Sequence, residues 1–341
     1  MKIESTYNRI ISVPLSITLR KVAGKFLYLL RKNKIRKNIY ENQTYSALFD
    51  SKQANFFHYF SQPDKSLIKK YSSIIEKIGA KIFNHEYDIL GSGWINVRSG
   101  YEAKGIEGCQ FNPASPVFID LDTLLPQLVG KNNIDYSKKV GSLIDKDYIL
   151  HDWQLDFKSG YRWDSLKWHK ELTYGYVKGA DIKVAWEFGR MQNLPWLAYY
   201  AALEKFQGNL KSYESAAREF HNQILDFIAQ NPPGFGVQWF VPMDVGIRAA
   251  NWLVTFDMFH SLGFRFDKEF LTIFINSIYD HGLHIAANLE WSSGMRANHY
   301  FANICGLLFI AAYLPVSKQT SQWLLFALQE LLNEIDFQFN S

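Results

Sequence analysis

Apolar residues recur at helical spacing through the second half of this chain. Ile304, Leu308, Ala311 and Ala312, then Leu324, Leu325, Leu328, Leu331 and Leu332, line up this way, as along one face of an α-helix. The pattern predicts helices over 181–206, 212–229, 241–261, 267–288, 298–314 and 319–335. Gly208, Pro232-Pro233-Gly234, Gly263, Ser292-Ser293-Gly294 and Pro315 separate them, since glycine and proline punctuate helices. Short links between helices of similar length make antiparallel hairpins. Successive apolar hairpins predict an all-α fold, an incomplete (α/α) toroid curved around a cleft.

The upstream half reads differently. Residues 1–80 carry short amphipathic helical pieces behind a basic arm. In 81–178, Gly91, Gly93, Gly100, Gly105, Gly108, Gly160 and Gly175, with Pro113, Pro116 and Pro126, predict loops, short strands and turns laid over the helical body. The toroid core is expected over 179–341, with 81–341 forming one domain.

Composition narrows the class. The 341 residues are 48% hydrophobic and 21% charged, which fits a globular chain. Aromatics reach 16%; they build cores and also suit clefts that stack sugar rings. Cys109 and Cys305 sit in no CxxC pair, and two cysteines make no disulfide framework. Net charge is +4, yet residues 1–40 hold ten Lys/Arg against Glu4 alone. Arg20, Lys21, Lys25, Arg31, Lys32, Lys34, Arg36 and Lys37 surround Val22, Phe26, Leu27, Leu29 and Leu30. This basic amphipathic segment is either a solvated arm packed on the body or a contact for an anionic surface. The apolar stretch from Ile10 to Leu19 contains Pro14 and runs into Arg20-Lys21, unlike a secretory signal. No apolar run is long enough to cross a membrane, and the compartment stays open. P-loop, GxGxxG, GxSxG and nucleic-acid-binding patterns are absent from the sequence.

Several polar positions could carry chemistry. Asp244, Arg248, Asn251 and Thr255 share one helical face, flanked by Trp239 and Trp252. That suits a saccharide groove; the alternative is an i,i+4 ion pair on a wet surface. Trp186, Arg190 and Asn193 fall on one side of another helix, where Arg190 suits a carboxylate or sulfate, or else pairs with Glu187. Asn298-His299 opens an apolar helix. The pair could grip an anion at the helix N-terminus, or Asn298 could be an N-cap. His281 and His284 lie at i,i+3 without an apparent third ligand, so no metal or other cofactor is expected. Asp120 and Asp122 fit a strand's alternation as well as a metal-binding DxD.

Taken together, these segments resemble the N-terminal domain of the heparinase II/III-like polysaccharide lyases, including alginate-lyase-like members. The resemblance rests on Phe83 through Gly93, Asp152-Trp153, Asp156 through Trp163, Trp186 through Arg190, Trp239 through Trp252, and Asn298-His299. They occur in the family's order over roughly residues 80–341. One departure is Asp244, where the family usually has Glu. The resemblance implies β-elimination on a uronate-containing acidic polysaccharide, with Asn298 and His299 neutralising the uronate carboxylate. It implies substrate contacts from Arg190, Trp239, Asp244, Arg248, Asn251 and Trp186. It also implies a β-sandwich domain, a catalytic Tyr and an assisting His; family members are often periplasmic. The family's Tyr-His motif follows a segment like Glu334 through Phe339, and here the sequence ends at Ser341. The expectation is thus a lyase domain incomplete as a catalyst, completed by a β-sandwich polypeptide. A non-catalytic acidic-glycan module, and an inverting glycosidase using Glu187, Asp244 or Glu290, remain as alternatives.

Overall fold

The computed structural model describes residues 33–50, 52–98, 101–105, 108–111, 121–291 and 297–339. The chain divides into two compact units, Met1–Gln43 and Thr44–Ser341. In the first, residues 33–41 are helical. The basic stretch from Arg20 to Leu30 lies outside the described residues. No helix among the described residues is long and apolar enough to cross a membrane.

The second unit is all-α, of the toroid class. It begins with α1 (Lys65–Lys70) and α2 (Ser72–Phe83), followed by β1 (Glu86–Tyr87) paired antiparallel with β2 (Ile95–Asn96). Next come α3 (Leu121–Leu128) and α4 (Ile134–Gly141). The main helices are α5 (Ile182–Gly189), α6 (Leu194–Gln207), α7 (Leu210–Gln230), α8 (Pro242–Ser261), α9 (Lys268–Ala287), α10 (Asn298–Tyr313) and α11 (Lys318–Phe339).

The sequence pattern locates α7 to α11 closely. It misses a break: the single helix expected over 181–206 is two, α5 and α6. Met191 takes a left-handed backbone with φ 52°, which the helix cannot continue through. Pro195 then starts α6, where its missing N–H costs nothing. The strand reading at Asp122 is also corrected. Asp122 lies in the first turn of α3 and pairs with Lys138 at 3.1 Å on the surface. Asp120 lies outside the described residues.

Helix α8 is central. It packs against α5, α6, α9 and α10, and Val245, Ala249, Trp252, Leu253, Phe256 and Phe259 are buried on it. Its closest approach is to α10. A Cβ placed on Gly306 would lie 2.5 Å from the Cα of Gly246, so the two backbones touch where neither residue has a side chain. Gly306→Ala must push α10 off α8. We expect a loss of about 1–3 kcal/mol, read as a lower urea midpoint. Unchanged stability would mean that the crossing is loose.

Candidate functional site

A polar seam runs across the N-terminal end of α8. Its first part comes from α5. Asp181 caps that helix by accepting from the Lys183 N–H at 3.0 Å, and the helix ends at Gly189 with Arg190 as C-cap. The Arg190 Nε donates to Asp244 Oδ1 at 2.6 Å, and its Nη1 pairs with Glu187. The Asn251 amide donates to the Arg190 carbonyl at 2.8 Å, satisfying one of the acceptors that a helix end leaves open. Arg190, Asp244 and Asn251 are therefore brought together.

Asp244 is 3% exposed, and its Oδ2 has no hydrogen-bond partner among the described residues. Burial pushes this carboxyl above the usual carboxylate range, against the pull of Arg190 and then Arg248. Although Asp244 is shorter than the family's usual Glu, it reaches Arg190.

The next residue back carries the seam onward. Pro242 fills the first position of α8, and the Met243 N–H behind it donates to Glu290 Oε2 at 2.9 Å. A carboxylate there is favoured by the free N–H groups of the helix start. Glu290 Oε1 lies 2.9 Å from His299 Nδ1. Asn303, one turn beyond His299 on α10, donates to Glu290 Oε2 at 3.0 Å and accepts the Glu290 N–H at 2.8 Å. Two helices and a backbone N–H thus fix the Glu290 carboxylate, and Glu290 fixes the His299 ring. The His299 side chain remains 44% exposed, and its Nε2 bonds to no described residue.

Asn298 is the first residue of α10 and is exposed. Ala297 occupies the N-cap without a side-chain bond, so the capping alternative for Asn298 is not what the structure shows. Ser292-Ser293-Gly294, expected to form the loop before it, lies outside the described residues. Trp186 is half-buried and stacks on Phe240, with ring centroids 5.7 Å apart and planes at 16°.

Two expected groove contacts are core residues instead. Arg248 is 0% exposed. Its guanidinium donates to His281 Nε2 at 2.9 Å, the Gly189 carbonyl at 3.2 Å and the Gln238 carbonyl at 3.0 Å. It also lies over the rings of Phe227 and Trp239. Burial lowers its pKa to about 9, against the pull of Asp244. Trp239 is 1% exposed and donates its indole N–H to the Asn231 carbonyl at 3.0 Å. The polar face of α8 is real but turned inward, so Arg248 and Trp239 support the site from below. His281 accepts from Arg248 and has its Nδ1 2.7 Å from the Ser277 carbonyl. A neutral ring protonated on Nδ1 satisfies both contacts.

Glu290 and Asn303 are the seam residues that the sequence reading undervalued. Glu290 enters it only as an acid for glycosidase chemistry. Asn303 carried a signal: it lies four residues after His299 in an otherwise apolar helix, and such a pair meets on one face.

A second polar cluster lies elsewhere. A cavity of about 550 Å³ is lined by His85, Asp145, Asp147, Tyr148, Arg218 and Glu219, among others. Behind it His151 is fully buried, with Tyr87 Oη 2.9 Å from its Nε2 and Tyr148 Oη 3.0 Å from its Nδ1. The two segments beginning at Phe83 and Asp152 converge here: His85 stacks on His151 at 4.2 Å, and Trp153 stacks on Phe188 at 4.7 Å. These motifs therefore build a scaffold. Asp226, also buried, accepts from the His151 N–H at 3.0 Å and from Gln230. Burial raises its pKa to about 8, against those bonds. The unfolded chain releases this proton near the ordinary Asp value of about 3.9. The native state therefore holds an extra proton between the two values, and the stability that Asp226 contributes is lost as pH rises from about 4 through 8. Asp226→Asn has no such proton. In urea melts the wild type should lose ground to D226N as pH rises; a pH-independent difference would refute this.

The chain matches the family described as "Heparinase II/III N-terminus" over residues 127–341, more than half its length. No curated protein and no solved structure matches it.

Proposed function

The chain belongs to the heparinase II/III N-terminal family, and from that premise we propose that its α8–α10 seam binds a uronate-containing acidic polysaccharide for β-elimination. The observation that carries this reading is His299. Its Nδ1 is held by Glu290 while the rest of the ring is half-exposed beside Asn298.

The chemistry asks for such a pair. A uronate C5 proton is barely acidic while the adjacent carboxylate keeps its full charge. Hydrogen bonds from Asn298 Nδ2 and a doubly protonated His299 offset that charge and stabilise the enolate-like transition state. A base then takes the C5 proton, the C5–H electrons form the C4–C5 double bond, the C4–O4 bond breaks, and O4 leaves with a proton from an acid. A singly protonated ring with its proton on Nδ1 offers Nε2 as an acceptor instead.

The proposal includes a proton-transferring tyrosine that none of the described seam residues supplies. Among the described residues, no tyrosine hydroxyl hydrogen-bonds to the seam. Tyr300, next to His299, is buried and donates to Glu330 at 2.7 Å. An apolar face for a partner is present on α11, where Leu325 is 71% and Leu332 66% exposed. The glycosidase alternative is weaker. Glu187 and Asp244 both pair with Arg190, and Glu290 is committed to three donors.

Calorimetry with polyuronate, beside an ultraviolet assay for the unsaturated product, tests the reading. We expect binding without turnover by this chain alone. Robust turnover would overturn the need for a partner, and failure to bind any acidic glycan would overturn the site.

A further inference from the structure

We propose that His58, Asp257 and His260 form a binding site for a first-row transition-metal cation of the Zn²⁺ or Co²⁺ class. Asp257 and His260 are three residues apart on α8, so they share a face. His58 comes from the irregular segment 54–60. One candidate ligand atom from each residue lies within 4.8 Å of the others.

The carboxylate is oriented as a ligand requires. Asp257 is 0% exposed. Its Oδ2 is occupied by three donors: the N–H groups of Tyr59 at 2.7 Å and Phe60 at 3.0 Å, and the Tyr313 hydroxyl at 3.0 Å. Such bonds fix a ligating carboxylate from behind. Its Oδ1 meets His58 Nδ1 at 2.8 Å.

The imidazoles are unusually placed. The His58 and His260 rings lie face to face, with centroids 3.4 Å apart and planes at 6°. The His260 ring nitrogens bond to no described residue. Neutral imidazole is the form that ligates. Two nitrogens and one carboxylate oxygen suit zinc or cobalt, with water completing the shell.

Parallel ring planes do not let both lone pairs converge on one ion. Binding therefore turns His58, which is exposed, and replaces its proton on Asp257 with the cation. Arg265 opposes the added charge from nearby, although its guanidinium is committed to the His260 and Phe264 carbonyls. The bound ion would fasten segment 54–60 to α8.

The test titrates the full chain, freed of any affinity tag, with CoCl₂ by visible absorption and with ZnCl₂ by calorimetry. We expect one equivalent to bind, with cobalt bands of nitrogen–oxygen ligation. His58→Ala and His260→Ala should each weaken binding at least tenfold while keeping the wild-type circular dichroism spectrum. The His58 side chain is 28% exposed and lies outside α8, so His58→Ala keeps the test valid if His260→Ala misfolds. The absence of stoichiometric binding, or His58→Ala binding as tightly as wild type, would overturn the proposal.

Discussion

Arg248→Ala should cost the fold about 3–5 kcal/mol, the range for breaking a buried charged network from one side. The guanidinium is fully buried and joins three elements: α5 through the Gly189 carbonyl, the turn before α8 through Gln238, and α9 through His281. Its removal leaves two carbonyls and a ring nitrogen without their donor, beneath Phe227 and Trp239. Each buried orphan costs about 1–3 kcal/mol. The cavity adds to this. Arg248→Met fills part of the volume and separates packing from hydrogen bonding; it should recover only part of the loss. A urea midpoint near wild type for Arg248→Ala would show that the network contributes little. If Arg248 instead contacts substrate, binding would fall while stability held.

His299→Ala should weaken polyuronate binding by about tenfold to a hundredfold, since a hydrogen bond to a charged group contributes about 1.5–3 kcal/mol. Its melting temperature should barely move. His299 is half-exposed, and Glu290 keeps its bonds from Met243 and Asn303. Where a partner restores turnover, the loss should reach about 10²–10³-fold, as when one donor to a developing anion is removed. Glu290→Gln distinguishes position from charge. The amide oxygen can still accept from Nδ1, but it no longer stabilises a doubly protonated ring. Equal binding by wild type and His299→Ala would remove the seam as the uronate site.

The sequence was most informative where one helix face suffices. The period of apolar residues marks α7 to α11, and proline with glycine marks their ends. It also placed Asn298 and His299 at a helix start, because that depends on neighbours along the chain. It could not show the break between α5 and α6, which rests on one left-handed residue at Met191 inside an otherwise helical pattern. Nor could it tell which way the polar face of α8 turns. Asp244, Arg248, Asn251 and Thr255 share that face, but Arg248 and Thr255 are fully buried. Spacing gives a face; burial depends on what packs against it.

By itself, the sequence determined the helical class, the family and the pair that opens α10. These follow from local spacing and motif order. Only the tertiary structure decided that Glu290 orients His299, that Arg248 and Trp239 belong to the core, and that His58 meets Asp257 and His260. The reason is distance along the chain. Glu290 and Asn303 are 13 residues apart, and His58 precedes Asp257 by 199 residues. Hydrogen bonds across such separations form only after the apolar faces have packed, and packing selects which polar groups remain in water.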